Sequence, residues 1–196
     1  MTAAPEIGEA LEALSGPRLP LRDAADRVPP QPGLYAIYGD SQTWHALRLG
    51  EPPDDRPLYV GKAEDSLLSR DVGTHFGNGR TGQSTVRRSI AALLRDTLVL
   101  SGMPRNPTKP AYFSNFGLSP TDDKKLTDWM QGHLVLATWA PVSSVVLRTV
   151  EVPVIQTWQP PLNLTDVVTP WTNMVKAARR TMADEARAWA SAHPSE

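Results

Sequence analysis

The sequence predicts an α+β domain: a small, mainly antiparallel three-stranded sheet flanked by helices. Two observations carry this. Three short runs rich in aromatic and β-branched residues, near 33–38, 57–62 and 133–139, are bounded by Gly, Pro, Asp or Asn. Between and after them lie longer stretches whose apolar residues recur every three or four positions, the period of an amphipathic helix.

In chain order, Ile7, Leu11 and Leu14 form one apolar stripe and predict a helix over 5–14, ended by Pro17 and Pro20. Residues 22–28 predict a further helical turn. Pro29-Pro30-Gln31-Pro32 then delivers an extended chain into the first strand, Gly33 to Tyr38. Asp40 to Thr43 can cap a short helix holding Trp44 and Leu47, followed by a Pro/Asp loop from Glu51 to Arg56. After the second strand, Asp65 or Ser66 can cap a helix with Leu67, Leu68 and Arg70, interrupted by Gly73; residues 77–83 are a polar, glycine-rich loop. Ser84 caps a helix over 85–98 with Val86, Ile90, Leu93, Leu94 and Leu98 inward; Arg87, Arg88 and Arg95 fall largely off that stripe.

Residues 101–119 are irregular. Pro120 starts a helix with acids in its first turn, ending near Gly132. The third strand follows at 133–139. Residues 147–158 predict a helix with Leu147, Val150, Val154, Ile155 and Trp158 inward. Pro153 is accommodated there if the helix starts near Thr149, which puts proline in the first turn. Residues 171–190 form a last amphipathic helix, with Trp171, Met174, Val175, Ala178, Met182 and Trp189 on one stripe. It either closes the core or offers a dimer surface. The expected division is a helical, proline-rich lead-in (1–32), a central domain (33–166) with insertions at 40–57 and 99–120, and a C-terminal helix (167–196).

Bulk properties narrow the class. With 40% hydrophobic and 21% charged residues in a chain of 196, a real core is expected. The 19 prolines, against a usual ~5%, gather in connections and predict long ordered loops. There is no cysteine, which removes disulfides, thiol nucleophiles and zinc–thiolate sites and fits a reducing cytoplasm. No apolar run approaches the ~20 residues of a membrane span, and no secretory signal is evident. The net charge of −1 does not announce a nucleic-acid binder. Residues 61–110, however, carry a net +4. Arginines clustered there can grip phosphates or form a solvated helix face.

Gly33-Leu34-Tyr35 and Tyr59-Val60-Gly61, followed by Lys62, Arg70 and His75 and then by Glu151 and Asn163, form an ordered set over about two thirds of the chain. This set resembles the signature of the GIY-YIG nuclease family. Its two tyrosines stand 24 residues apart, a longer link than in compact members. The resemblance implies the fold above, Mg²⁺ or Mn²⁺ as cofactor and DNA as partner, cut by direct attack of water.

The residues suit that chemistry. Glu151 is the metal candidate, since Mg²⁺ is often held by one or two carboxylates plus waters and substrate phosphate; otherwise it is an exposed helix glutamate. Arg70, with forked donors, suits a phosphoryl oxygen, or else pairs with Asp71 or Asp65. Tyr35, Tyr59 and His75 are the candidates for the base. A phenol, with a pKa of about 10, needs nearby cations such as Lys62 to act as one, and strand tyrosines are otherwise core packing. Gly61 and Asn163 are expected to shape the site's edge, and Arg80, Arg87 and Arg88 to make secondary nucleic-acid contacts. The resemblance points further to stand-alone, restriction-type members and a homodimer on a symmetric site. The competing reading is a module of this fold that binds nucleic acid or protein without cutting.

Overall fold

The computed structural model describes residues 4–68, 79–106 and 110–193. Helix α1 (Ala4–Ser15) is followed by strand β1 (Leu19–Pro20), a 3₁₀ turn, helix α2 (Ala24–Arg27) and strand β2 (Gly33–Gly39). Helix α3 (Ser41–Ala46) begins the insertion before strand β3 (Tyr59–Ala63). Then come α4 (Thr85–Leu93), α5 (Arg95–Leu98), α6 (Pro120–His133), strand β4 (Leu134–Trp139), α7 (Leu147–Trp158) and α8 (Thr172–Ala192).

The sheet runs β1-β4-β2-β3, with every neighbouring pair antiparallel. Among the described residues it therefore has four strands where the sequence predicts three. The extra one is two residues long, Leu19 opposite Leu136 and Pro20 opposite Val135. That is too short to show a period, and a proline is tolerated on an outer strand that need not donate. The register of β2 on β3 places Tyr35 opposite Gly61 and Leu34 opposite Lys62.

Side-chain alternation splits the core in two. Leu34, Ala36, Tyr38, Val60, Ala137 and Trp139 face α1 and α7. Tyr35, Ile37, Ala63 and Leu136 face α4, α6 and α8. The Tyr38 hydroxyl donates to the Leu14 carbonyl at 2.8 Å and ties α1 to the sheet.

Local signals account for most helix starts. The Asp40 carboxylate accepts from the Thr43 N–H at 2.8 Å, and the Ser84 hydroxyl from the Arg87 N–H at 3.2 Å. The helix predicted over 85–98 is broken at Leu94 into α4 and α5. Helix α7 starts at Leu147, so Pro153 lies in its interior and not in its first turn. Burial of Leu147, Val150, Val154 and Ile155 against the sheet outweighs the one hydrogen bond that proline removes. The apolar face of α8 closes the core: Val175, Met182, Ala183 and Ala186 are buried, and the helix packs along α4. Gly102 permits the close passage of α8, since a Cβ there would lie 2.8 Å from the Met182 carbonyl carbon.

Arg87 corrects a further expectation. It is fully buried and pairs with Asp123 on α6 at 2.9 Å, also donating to Thr127 Oγ1 at 2.9 Å. Asp123 in turn accepts from the Gly79 N–H and the Thr81 hydroxyl. Arg87 thus ties α4, α6 and the 79–81 turn together, and is buried in the protein rather than on a solvated helix face. Arg87→Ala would strand a buried carboxylate and is expected to destabilise the fold by about 3–5 kcal/mol, read as a lowered midpoint in urea denaturation.

Candidate active site

The motif residues gather along β3, the outer strand of the sheet. Tyr59 and Gly61 leave it toward the α4/α8 side, whereas Lys62 leaves it toward α7.

On the first side Tyr35 is buried, 1% exposed, in the core beneath Gly61. A Cβ on Gly61 would lie 2.6 Å from Tyr35 Cζ and 2.9 Å from Tyr59 Cε1, and closer still to the Tyr35 hydroxyl. Glycine is needed there for close approach. The rings of Tyr35 and Tyr59 are tilted by 37° with centroids 6.1 Å apart. Tyr59 is half-buried and within electrostatic reach of Arg88 on α4 and Arg179 on α8.

On the second side Glu151 projects from α7, 8% exposed. Arg148, one helical turn earlier, donates to Glu151 Oε2 at 3.2 Å and to Asp166 Oδ2 at 2.8 Å. Burial raises the Glu151 carboxyl above the ordinary carboxylate range, against the opposing pull of Arg148 and Lys62. Lys62 forms an ion pair with Glu64.

Asn163 closes the edge. The Val60 N–H donates to Asn163 Oδ1 at 2.9 Å, and Asn163 Nδ2 donates to the Val60 carbonyl at 2.8 Å. The Leu162 N–H adds a bond to the Leu58 carbonyl at 3.0 Å.

Arg70 and His75 lie outside the described residues. Arg80 is exposed, with Nη1 donating to Gln83 Oε1 at 3.3 Å. Arg148, Arg105 and Arg179 were not singled out from the sequence. Arg148 had a usable signal in its three-residue spacing from Glu151, while the other two meet the site only through the tertiary fold. Among the described residues, no three His, Asp or Glu side chains converge as a metal cluster, and no helix is long and apolar enough to cross a membrane.

The described residues thus form an antiparallel sheet with helices on both faces, two tyrosines packed on a glycine of an outer strand, and a buried glutamate beside it. The family model of the GIY-YIG catalytic domain matches residues 41–182, well over half the chain, and the protein belongs to the GIY-YIG family. The match starts just after β2. Comparison with curated proteins and with solved structures gives no match.

Two outcomes are expected. Asn163→Ala leaves the buried Val60 N–H and carbonyl unpaired and should cost about 2–4 kcal/mol, with faster hydrogen exchange at the Val60 amide. For Glu151, a folded-state pKa above the unfolded one means stability falls as pH rises through that interval and stays lower above it. Glu151→Gln should therefore melt at a higher temperature than the parent at neutral pH. Thermal melts should show the advantage shrinking toward about pH 4.

Proposed function

We propose that the protein is a divalent-metal-dependent DNA endonuclease that hydrolyses phosphodiester bonds by direct attack of water. The observation that supports it best is the setting of Glu151. In a chain of the GIY-YIG family, a carboxylate is held nearly out of solvent at the outer strand, at an energetic cost that its neighbours only partly offset. One carboxylate completed by waters and substrate phosphate suits Mg²⁺ or Mn²⁺. Glu151 would hold the ion, which supplies Lewis-acid stabilisation of charge on the phosphoryl oxygens.

In this reading a water oxygen bonds to phosphorus, the bond from phosphorus to the leaving sugar oxygen breaks with its electron pair on that oxygen, the water proton passes to a base, and the leaving oxygen takes a proton from solvent. Tyr59 is the better-placed tyrosine for that role, because Tyr35 is sealed in the core while Tyr59 is half-exposed beside two arginines. Nearby cations favour the phenolate that a base requires. Tyr35 and Gly61 set the position of Tyr59, and Lys62 tunes charge on the Glu151 side. Arg70 and His75 stay assigned from the motif, as phosphate contact and second candidate base. Asn163 acts as scaffold.

A restriction-type role with a homodimer on a symmetric site is the finer reading. Since the apolar face of α8 is taken up by the core, a dimer would use another surface.

Plasmid DNA incubated with Mg²⁺ or Mn²⁺ is expected to be cut by the parent protein and not by Glu151→Ala, nor in the presence of chelator. Discrete bands would support the restriction-type reading, and a smear would leave a nuclease without it. Cleavage by Glu151→Ala equal to the parent would overturn the assignment of Glu151. No cleavage of supercoiled, linear, single-stranded or branched DNA would leave a binding module.

A further inference from the structure

Neighbours in sequence, Arg87 and Arg88 meet opposite surroundings. Arg87 has Asp123. Arg88 is 7% exposed and forms no ion pair with a carboxylate among the described residues. Its Nη1 donates to the Gly82 carbonyl at 2.8 Å and its Nη2 reaches Thr85 Oγ1 at 3.4 Å. Its buried Nε has no hydrogen-bond partner among the described residues.

Two further arginines stand around it. The aliphatic stem of Arg105 packs over Gly82, whose carbonyl Arg88 holds. Arg179 comes from α8, which packs along α4. Burial and the like charges of Arg179 and Arg105 push Arg88 down to about 10, and burial lowers Arg179 as well. A buried guanidinium among like charges, with no carboxylate partner among the described residues, is unfavourable unless an anion completes it.

The arrangement is also connected to its surroundings. Tyr59 lies beside Arg88 and Arg179. From Arg179 a groove of about 450 Å³ extends along α8, lined by Lys176, Arg180 and Arg187, with Leu164 and Ser114 opposite. Leu164 directly follows Asn163, the residue clamped to β3, so the groove opens next to the candidate active site.

We propose that Arg88, Arg105 and Arg179 form a subsite for one backbone phosphate of the DNA strand, adjacent to the phosphate that is cut. Lys176 and Arg180 continue the track along α8. Naming DNA as the ligand rests on the nuclease reading; the anion subsite itself does not. Guanidinium forks match non-bridging phosphate oxygens, and the unpartnered Nε of Arg88 is a donor awaiting an acceptor. These contacts read backbone and not base sequence, so they position the strand. Arg88 acts here as a positioning residue beside Tyr59.

The test is binding of a short fluorescent duplex, followed by anisotropy in chelator so that nothing is cut, across a salt series. Arg179→Gln is expected to weaken binding on the order of tenfold. It should also lower the slope of log affinity against log salt by about 0.9, as one lost phosphate contact requires. Arg105→Gln, at an exposed position, should do the same without risk to the fold. Inorganic phosphate should raise the melting temperature of the parent and do so less in either variant.

Unchanged affinity and salt slope in both variants, each folded by circular dichroism, would overturn the subsite. Weakened binding in the variants together with no cleavage by the parent would keep the subsite and remove the nuclease reading. Cleavage by the parent with unaltered binding in the variants would do the reverse.

Discussion

The structure depends on how the open edge of β3 is satisfied. An outer strand leaves a row of N–H and C=O groups without a ladder partner, which is costly if they are buried and invites wrong pairing if they are exposed. Val60 sits at this edge, and the side-chain amide of Asn163 serves its N–H and its carbonyl together. The 160–163 turn thereby stands in for a further strand while occupying only a few residues of edge. Its reach extends beyond β3. Gln159 ends α7 in a left-handed conformation, and the turn follows at once, so the clamp also ties the end of α7 to the strand. The position of Glu151 relative to Lys62 is therefore set by one amide more than 10 residues away in sequence.

Buried charge is handled in two different ways, and the difference tracks the candidate site. Where a charge serves architecture it is neutralised internally: Arg87 and Asp123 satisfy each other and hold an irregular turn against two helices. Around the outer strand neutralisation is incomplete. Glu151 has Arg148 but shares it with Asp166, and burial still dominates. Arg88 has only a backbone carbonyl and a distant hydroxyl. Desolvated charge without full compensation is what a site prepared for an ionic ligand retains, since the ligand supplies the missing partner.

Much of the fold was legible because its determinants are local. The caps at Asp40 and Ser84, the three longer strands and the apolar stripe of α8 each depend on residues within a few positions of one another. The failures share the opposite property. Pro153 was placed by local rules in a first turn, but the packing of four apolar side chains on the sheet carries α7 through it. β1 is specified by its neighbour β4 and not by its own two residues. Arg87 looked solvated because nothing nearby in sequence announces Asp123, 36 residues on. The same holds for the site: the tyrosines, Gly61, Glu151 and Asn163 were visible as an ordered motif, whereas Arg179 reaches Arg88 only because α8 folds back on α4, and Arg105 because its stem packs over Gly82.

The two tyrosines illustrate what a motif leaves open and a register decides. In sequence they are equivalent, each on a short strand beside glycine. In the sheet β2 lies between β4 and β3, so Tyr35 is flanked by strands on both sides and covered by helices above. Tyr59 is on an outer strand, with β2 on one side and the 160–163 turn, held to Leu58 and Val60, on the other. The absence of a side chain at Gly61 lets the Tyr35 ring fill the space beneath and brace Tyr59 from within. On the proposed nuclease reading, the base needs both solvent access and a fixed orientation, and of the two tyrosines Tyr59 is the one that is only half-buried. The central tyrosine packs beneath the outer one, so on that reading the pair would work as a support and a presented group rather than as two interchangeable hydroxyls.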